Sequence, residues 1–324
     1  MSRSYVNKGI QIGVESTPGT AVAANKRLPS LSFNLGPQVD SKQYRGMGFK
    51  FNTINQSHKI WSEGNIEGPL SYNEIIYPLA TMFTPPTPTT PGGGTNSREW
   101  LFTPLAQGNE TLKTLTVEQG DSIAAQIAAY VACRGLNFEF AEDDVTVNGP
   151  IIGRAPTTGS MTGSPTSIAQ IVASARDIDV YIHTALGSAG ADLFQSGNKL
   201  TDAISGNFSI GEKLNPRWVH NTDFDSYKDL VETAAELTMS YRSEFNAQAR
   251  AIFDLIASNP LRYVGIRITG PIIEGAIPYV FEIAAACNIT GAEEEDADGV
   301  YAYKFDFTPR YDATLTSAFW IRVV

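Results

Sequence analysis

Reactive and metal-binding side chains are scarce in this sequence, whose 324 residues include two cysteines and three histidines. His58, His183 and His220 fall in neither an HExxH nor an HxH spacing, so no ligand set for a zinc hydrolase is visible. Cys133 and Cys287 each follow an alanine-rich apolar run, where a free cysteine is usually buried. Two cysteines also cannot form a disulfide framework. We predict buried, unreactive thiols and no metal site.

Catalytic and nucleotide-binding motifs are also missing. The sequence contains no Gly-x-Ser-x-Gly elbow, no GxxxxGK[ST] phosphate loop and no strand-bounded GxGxxG. Residues 159–167 have glycines but no lysine to hold a phosphate, so we interpret them as linker. Asp296 and Asp298 resemble part of a calcium loop, but Phe307 stands where the last glutamate ligand is needed. We expect an acidic hairpin turn there, with calcium as the less favoured alternative, and no enzyme activity or cofactor.

Long apolar runs and clustered basic side chains are absent as well. No run approaches the ~20 residues of a membrane span, and the start MSRSYVNKG lacks the apolar core of a secretory signal. We therefore expect synthesis in a cytoplasm and no membrane partner. The formal net charge of -10 argues against a surface that binds nucleic acid, because neutralising phosphates requires clustered Lys and Arg. It permits a surface that nucleic acid slides past.

A strand followed by a helix is predicted for IWSEGNIEGPLSYNEIIYPLATMF, residues 60–83. Glu63 and Glu67 alternate with smaller or apolar residues, as in a strand with two different faces. Ser71 and Glu74 have the spacing of a capping box, and an apolar helical face follows them. This stretch is the clearest structural signal in the chain.

The pattern recurs, in the same order, in the second half of the chain. The matched pairs are Phe33 and Phe208 (175 apart), Glu63 and Glu232, Glu67 and Glu236, Ser71-Tyr72 and Ser240-Tyr241 (all 169 apart), and Cys133 and Cys287 (154 apart). The offset changes only where a loop intervenes, and insertions in loops cost little. A diverged internal duplication produces such a drift. The alternative is a chance similarity between β-rich segments.

We predict a mainly β fold with flanking α-helices, made of two β-sandwich or barrel units that each carry one outer helix. The predicted boundaries are an N-terminal arm at 1–27, a first domain at 28–150, a linker at 151–176 and a second domain at 177–324. The first domain includes a long loop at 84–98, whose Pro and Gly content favours an extended, exposed segment.

Three segments together resemble the major tail tube proteins of long-tailed, non-contractile bacteriophages. GIQIGVESTPGTAVAA is similar to the start of that family, EGNIEGPLSYNEIIYPLATMF to its inner strand and outer helix, and EWLFTP to its Trp-x-Phe-x-Pro strand. The resemblance covers about the first 150 residues by motif and the rest through the repeat. It implies a virion protein whose inner strands join edge to edge around a ring, with rings stacked into a tube.

The same resemblance implies the partners and the stoichiometry. The tube would hold the tape measure protein, contact tail terminator and distal tail proteins, and later conduct double-stranded DNA. Single-domain members need six chains per ring, so a duplicated chain would need three; without the duplication a hexamer is expected.

Two sets of residues are candidate sites for this role. Carboxylates that line the lumen would repel DNA, with an ordinary solvated face or salt bridges between rings as the alternative. The candidates for the lumen are Glu63, Glu67, Glu232 and Glu236. The candidates for contacts between rings, in the arm and the long loop, are Tyr5, Ile10, Ile12, Pro85, Pro88 and Pro91.

Two other functions fit parts of the sequence. A cell-surface or carbohydrate-binding β-sandwich module could use tryptophans as a stacking platform. The four tryptophans are Trp61, Trp100, Trp218 and Trp320. Another virion component, such as a capsid decoration or tail terminator protein, would share the compartment and much of the composition.

Overall fold

The structure of the protein is a computed structural model that describes residues 8–121, 123–220 and 226–324. Within these ranges the chain is mainly β, with twenty strands and two short helices. The predicted fold class, mainly β with flanking helices, is confirmed. Alternating apolar and polar residues explain most of the strands, since such a pattern buries one face and exposes the other.

The elements of the N-terminal half are β1 (Gly9–Val14), β2 (Lys26–Arg27), β3 (Ser32–Tyr44), β4 (Ile54–Pro69), α1 (Ile76–Met82), β5 (Trp100–Phe102), β6 (Leu115–Gly120), β7 (Ala125–Cys133), β8 (Leu136–Phe140), β9 (Val145–Arg154), β10 (Thr157–Gly159) and β11 (Thr166–Ser167). Those of the C-terminal half are β12 (Ile178–His183), β13 (Ala203–Ile210), β14 (Leu214–Arg217), β15 (Asp229–Glu232), β16 (Leu237–Glu244), α2 (Ala247–Phe253), β17 (Arg262–Glu274), β18 (Ile277–Ala297), β19 (Val300–Pro309) and β20 (Phe319–Val323).

Eight antiparallel neighbours form a continuous run that we call the eight-strand sheet. Its order is β3-β4-β9-β8-β13-β16-β19-β18. The first four strands come from the N-terminal half and the last four from the C-terminal half. The two halves are joined where β8 pairs with β13.

A second layer packs against this sheet and closes the core. The ring centroids of Phe138 in β8 and Phe281 in the first part of β18 are 5.3 Å apart, and those of Phe208 in β13 and Phe319 in β20 are 5.1 Å apart. In the N-terminal half β1, β6 and β7 contribute buried residues, such as Ile12 and Val117, to the same hydrophobic cluster. One core therefore extends through both halves.

Each half repeats one scheme of strand pairing. In the N-terminal half β1 pairs with β6, β6 with β7, β7 with β10, β7 and β8 with β9, β9 with β4, and β4 with β3. In the C-terminal half β12 pairs with β17, β17 with β18, β18 with β20 and β19, β19 with β16, and β16 with β13. The long strand β18 corresponds to β7 and β8 together. Each helix follows the strand at the corresponding place, α1 after β4 and α2 after β16.

The predicted domain boundaries need correction. Residue 150 lies inside β9, so the expected linker 151–176 begins within a central strand, where Ile151 and Ile152 are buried. The expected arm 1–27 contains β1, which pairs with β2 and β6 along Gly9–Val14. The halves are therefore not separate bodies, because their strands and their core are shared.

The predicted capping box is also wrong. Ser71 forms an isolated β-bridge with Val172, residues 72–75 form turns, and α1 begins at Ile76. The Ser71 hydroxyl has no hydrogen-bond partner among the described residues. The Glu74 carboxylate instead accepts the backbone N–H groups of Ser30 and Leu31, at 3.0 and 2.8 Å. In the second half the helix cap is Asn246, which accepts the Ala249 N–H at 2.9 Å.

Candidate assembly surfaces

The eight-strand sheet has one apolar and one polar face. Along one row of neighbouring residues, Val147, Phe138, Phe208, Met239 and Phe307 all face the core and are buried. The opposite face carries amide and hydroxyl groups. Its asparagines are Asn34, Asn65, Asn137, Asn148 and Asn207. This face is hydrophilic without being densely charged.

Glu63 and Glu67 lie on the polar face, as predicted for one strand face. The neighbouring β4 residue Ile66 points into the core. Glu63 accepts a hydrogen bond from the Trp61 indole N–H at 3.1 Å and forms an ion pair with Arg134 at 3.3 Å. Glu67 accepts a hydrogen bond from the Asn34 side chain at 3.1 Å. Both carboxylates are partly solvated and available at this face.

Glu232 is not on the eight-strand sheet, and its predicted equivalence to Glu63 is wrong. It lies in β15, which pairs only with β14 in the described structure. Its carboxylate is 2.7 Å from the Nζ of Lys213, whose side chain is 5% exposed, and accepts the backbone N–H of Glu110 at 2.9 Å. This glutamate therefore neutralises a buried lysine, which requires a charged partner.

Glu236, and not Glu232, is the residue of the second half that corresponds to Glu63. Phe33 pairs with Ile66 in the first half and Phe208 pairs with Met239 in the second. Glu63 precedes Ile66 by three residues, and Glu236 precedes Met239 by three. The strand register therefore aligns Glu63 with Glu236, and it aligns Glu67 with Ser240.

Opposite charges on the second half of the polar face are paired. Arg242 in β16 donates to Glu295 in β18 at 2.6 Å, and Lys304 lies 3.5 Å from Asp306 in β19. Glu139 in β8 accepts a hydrogen bond from the Asn137 side chain at 2.7 Å. Together with Glu63 and Glu67, these groups leave carboxylates in excess on the face.

Each end of the eight-strand sheet is an edge with no neighbouring strand among the described residues. At one end this is the side of β3 away from β4. At the other end it is the part of β18 at 290–297, beyond the point where β17 pairing stops at Cys287. Because all eight neighbours are antiparallel, β18 runs opposite to β3. An unpaired edge is an open template for another strand.

Side chains partly cover the β3 edge. The Leu35 N–H donates to Oε1 of Gln119 at 3.1 Å, and Nε2 of Gln119 donates back to the Leu35 carbonyl. Two residues further along, Pro37 has no N–H to offer. Proline and elements that cover the backbone prevent uncontrolled pairing at an edge, and here Gln119 covers the backbone groups of Leu35.

The predicted contacts between rings are distributed differently. Tyr5 lies outside the described residues. Ile10 and Ile12 are buried in β1, so they serve the core of the chain itself. The prolines Pro85, Pro88 and Pro91 lie in the long loop 84–98. Pro88 is exposed, whereas Pro85 and Pro91 are half-buried.

That long loop is anchored to β17 through one carboxylate. Glu274 accepts backbone N–H groups from Asn96 at 2.9 Å and Ser97 at 2.8 Å, together with the hydroxyls of Ser97 at 2.7 Å and Thr95 at 3.1 Å. These hydrogen bonds lower the pKa of Glu274 to about 2. The loop therefore connects the two halves and is not a free segment.

The hairpin turn between β3 and β4 was not among the predicted sites. Residues 45–53 form this tip, in which Met47, Phe49 and Phe51 are strongly exposed. The exposed apolar residues alternate with glycine, lysine and asparagine. Apolar side chains in a turn have no core to enter, so this alternation was the sequence signal that could have identified the tip as an exposed apolar surface.

The remaining candidates have structural roles. Cys133 and Cys287 are free and fully buried, as predicted, and burial raises the pKa of the Cys133 thiol to about 12. Asp296 accepts the Gly299 N–H at 2.6 Å, and Asp298 and Gly299 both have positive φ, as a two-residue hairpin turn requires. No group of three or more potential metal ligands lies together in the described ranges.

The tryptophans do not form one platform. Trp61 and Trp218 make an edge-to-face contact with centroids 5.6 Å apart, whereas Trp320 is buried with Phe194 in a separate small core. Trp100 lies in β5 and is half-buried. A row of exposed stacking rings is therefore not available to a sugar chain.

Comparison with protein-family models finds no match, and no curated protein matches the chain. In the part of the chain that the structure describes, no helix is long and apolar enough to cross a membrane.

Proposed function

We propose that the chain is a structural subunit that joins copies of itself edge to edge into closed rings, which stack to form the tail tube of a long-tailed, non-contractile bacteriophage. The observation that carries this proposal is the β8–β13 joint. There Leu136–Phe140 pair with Gly206–Ile210 and connect one repeat of the strand scheme to the next.

The two open edges correspond to the two strands of that joint. In the repeated scheme β3 matches β13, and the second part of β18 matches β8. A neighbouring copy that brings its β3 beside β18 would repeat the internal joint with the same antiparallel direction. Ring closure then removes both open edges, which a lone chain leaves exposed.

A ring of three chains follows from the repeat. Three copies of the eight-strand sheet would give 24 strands (3 × 8) around the ring. Barrels with about 16 to 18 strands already enclose an aqueous channel, so a lumen of this size is wide. Diverged repeats of one unit would then form a pseudo-sixfold wall.

The polar face of the sheet suits the inside of such a tube. Amides and hydroxyls hydrate the wall, while Glu63, Glu67 and Glu236 add negative charge that repels phosphate. The tape measure protein during assembly and double-stranded DNA during ejection are the proposed contents. Tail terminator and distal tail proteins are the proposed neighbours at the tube ends, and the virion is the proposed location.

Purified protein tests the proposal directly. We expect light scattering to give a particle of three 35.1 kDa chains, and negative-stain microscopy to show rings and hollow tubes. A particle with the mass of six chains would mean that the ring is a hexamer and not a trimer. A chain that remains monomeric at every concentration and salt condition, with no ring in any field, would contradict the function.

A further inference from the structure

The β3–β4 hairpin extends beyond the rest of the eight-strand sheet. Pairing of β4 with β9 stops at Trp61, whereas β3 and β4 continue to pair with each other up to Tyr44 and Ile54. Beyond Trp61 the hairpin therefore has no further strand beside it among the described residues. Its outer part is solvent-exposed on both faces.

The tip of this hairpin, residues 45–53, is apolar and cationic. Met47 is fully exposed, and Phe49 and Phe51 are 62% and 83% exposed. Arg45 and Lys50 lie in the same turn, with no acidic residue between them. Large apolar side chains clustered on an exposed turn are characteristic of a contact with another protein.

A cavity lies at the opposite end of the sheet. It has a volume of about 360 Å³ and lies where β8 ends and β13 begins, at the joint of the two repeats. Its lining is mainly apolar and includes Phe140, Ile178, Val180, Ala203 and Ile266. A space of this size accommodates one or two large side chains.

Polar groups at the cavity match those of the tip. Glu142 lines the cavity, and Asp143 and Asp144 follow it in the exposed β8–β9 turn. The carboxylates at the cavity therefore complement Arg45 and Lys50 of the tip in charge.

One chain cannot bring its own tip to its own cavity. The strand β4 runs from the tip to the far end of the sheet over 16 residues, which at the rise of a β-strand is about 50 Å. The tip and the cavity are therefore complementary surfaces at opposite ends of one body. A head-to-tail contact between surfaces at opposite ends of the strands repeats along the strand direction when its rotation does not close a ring.

We propose that the β3–β4 tip of one copy inserts Phe51, the more exposed of its two phenylalanines, into the cavity at the β8–β13 joint of a second copy in the next ring. Arg45 and Lys50 then face the carboxylates of residues 142–144. This contact rests on the proposed ring stacking and identifies the surfaces that hold successive rings together. It also fixes a single polarity for the tube.

Variants of the tip separate ring formation from stacking. Phe51→Asp places a charge at the apolar contact, so we expect rings of unchanged mass but roughly tenfold or more weaker stacking, seen as loss of tubes by microscopy. Ile123→Asp is the matched control, because Ile123 is 67% exposed on the β6–β7 turn. Tubes formed by Phe51→Asp as readily as by the natural chain would overturn the proposal.

Variants of the cavity test the other surface. Ala203→Phe fills the cavity from inside, and it should reduce stacking as much as Phe51→Asp while leaving the melting temperature of the ring unchanged. Reversing the tip charges with Arg45→Glu and Lys50→Glu should abolish tubes, and adding Glu142→Lys and Asp143→Lys should restore them. If the variant with all four charge reversals forms no tubes and Ala203→Phe forms tubes normally, the cavity is not the docking site.

A cross-link identifies the contact itself. Both natural cysteines are fully buried, so Phe51→Cys and Ala203→Cys introduce the only accessible thiols expected in the folded chain. Oxidised tubes of the double variant should give covalent ladders, and tubes of either single variant should not. If the natural chain forms no rings at all, the proposed function fails together with this contact. If the double variant forms tubes that do not cross-link on oxidation, only this contact fails.

Discussion

Gln119 occupies part of the edge of β3 that no strand covers. Its side-chain amide both accepts from and donates to the backbone of Leu35, as a neighbouring strand would. Replacing it by leucine leaves two buried backbone groups of Leu35 without partners. We expect Gln119→Leu to lower the free energy of unfolding by about 1–3 kcal/mol, measured by urea denaturation of the monomer.

The exposed Gln107 provides the control for this substitution. No hydrogen bond of its side chain is found in the described structure, and it is solvent-exposed. Gln107→Leu should therefore change the free energy of unfolding by less than about 0.5 kcal/mol. Equal effects of the two substitutions would show that the Leu35 contacts contribute nothing.

Glu74 makes the stability of the chain depend on pH in an unusual direction. Its side chain is fully buried and desolvation raises its pKa above 4.5, although the N–H groups of Ser30 and Leu31 oppose the shift. In the window between 4.5 and the raised pKa, the folded state holds more protons than the unfolded state. Stability contributed by this group is therefore full below the window and is lost as pH rises through it.

Glu74→Gln removes this titration while retaining an oxygen that accepts both N–H groups. We expect the melting temperature of the variant to decline less than that of the natural chain as pH rises from about 4 to 7. Calorimetry across this range measures the difference. A parallel decline in both proteins would mean that Glu74 is already ionised throughout.

The same residue shows where local reading of the sequence stops. Ser71 and Glu74 have the spacing of a capping box, yet Glu74 bonds to a segment more than forty residues earlier. A tertiary contact with two buried N–H groups outweighs a local cap, since unpaired buried donors are costly. No pattern within residues 60–83 contains that information.

At the scale of elements, the long loop 84–98 depends on its contact with β17. Because hydrogen bonds from the loop lower the pKa of Glu274 to about 2, the carboxylate stabilises the anchored loop above 4.5. That stabilisation is lost as pH falls from 4.5 towards 2. We expect the amides of residues 95–97 to be less protected from exchange in this acidic window than at neutral pH, once each observed rate is divided by the intrinsic exchange rate at the same pH.

Glu274→Gln should give the same loosened loop at neutral pH. The amide offers one acceptor oxygen in place of two, so some of the five hydrogen bonds from the loop are lost. Limited proteolysis within 84–98 measures this, with the exposed Glu236→Gln as the control. Unchanged cleavage of the Glu274 variant would mean that the turn geometry holds the loop without the carboxylate.

Strands were easier to predict than their alignment between the halves. Alternation placed Glu63 and Glu67 on one strand face, and the positions of Cys133 and Cys287 matched strands that pair alike. The Glu232 match was wrong because β14 and β15 form a hairpin of their own before β16 begins. A spacing that happens to agree cannot distinguish an inserted hairpin from a continued strand.

At the scale of the whole molecule, the order of strand pairing carries more information than sequence offsets. Offsets drift with every loop, whereas each strand keeps its partners, so β1 and β12 correspond although neither was matched from the sequence. The open edges of β3 and β18 then correspond to β13 and β8, the two strands that pair with each other inside the chain. Ring closure is what we propose on the basis of this correspondence.

Proline in the open part of β18 tests ring closure. The Ile289 N–H points away from β19 and bonds to Asn259. Beyond the irregularity at Ile289/Gly291, the alternation of the β18–β19 ladder directs the N–H of Ala292 away from β19 as well. Ala292→Pro therefore removes a donor from the open edge and leaves the internal ladder intact.

We expect Ala292→Pro to remain a folded monomer of 35.1 kDa under conditions in which the natural chain forms rings. Ala292→Ser, which keeps the N–H, should form rings normally. Light scattering gives the mass of both variants, and circular dichroism verifies that their strand content is unchanged. Rings of natural mass from the proline variant would mean that copies join through another surface, because a missing donor at this edge would then have no effect on assembly.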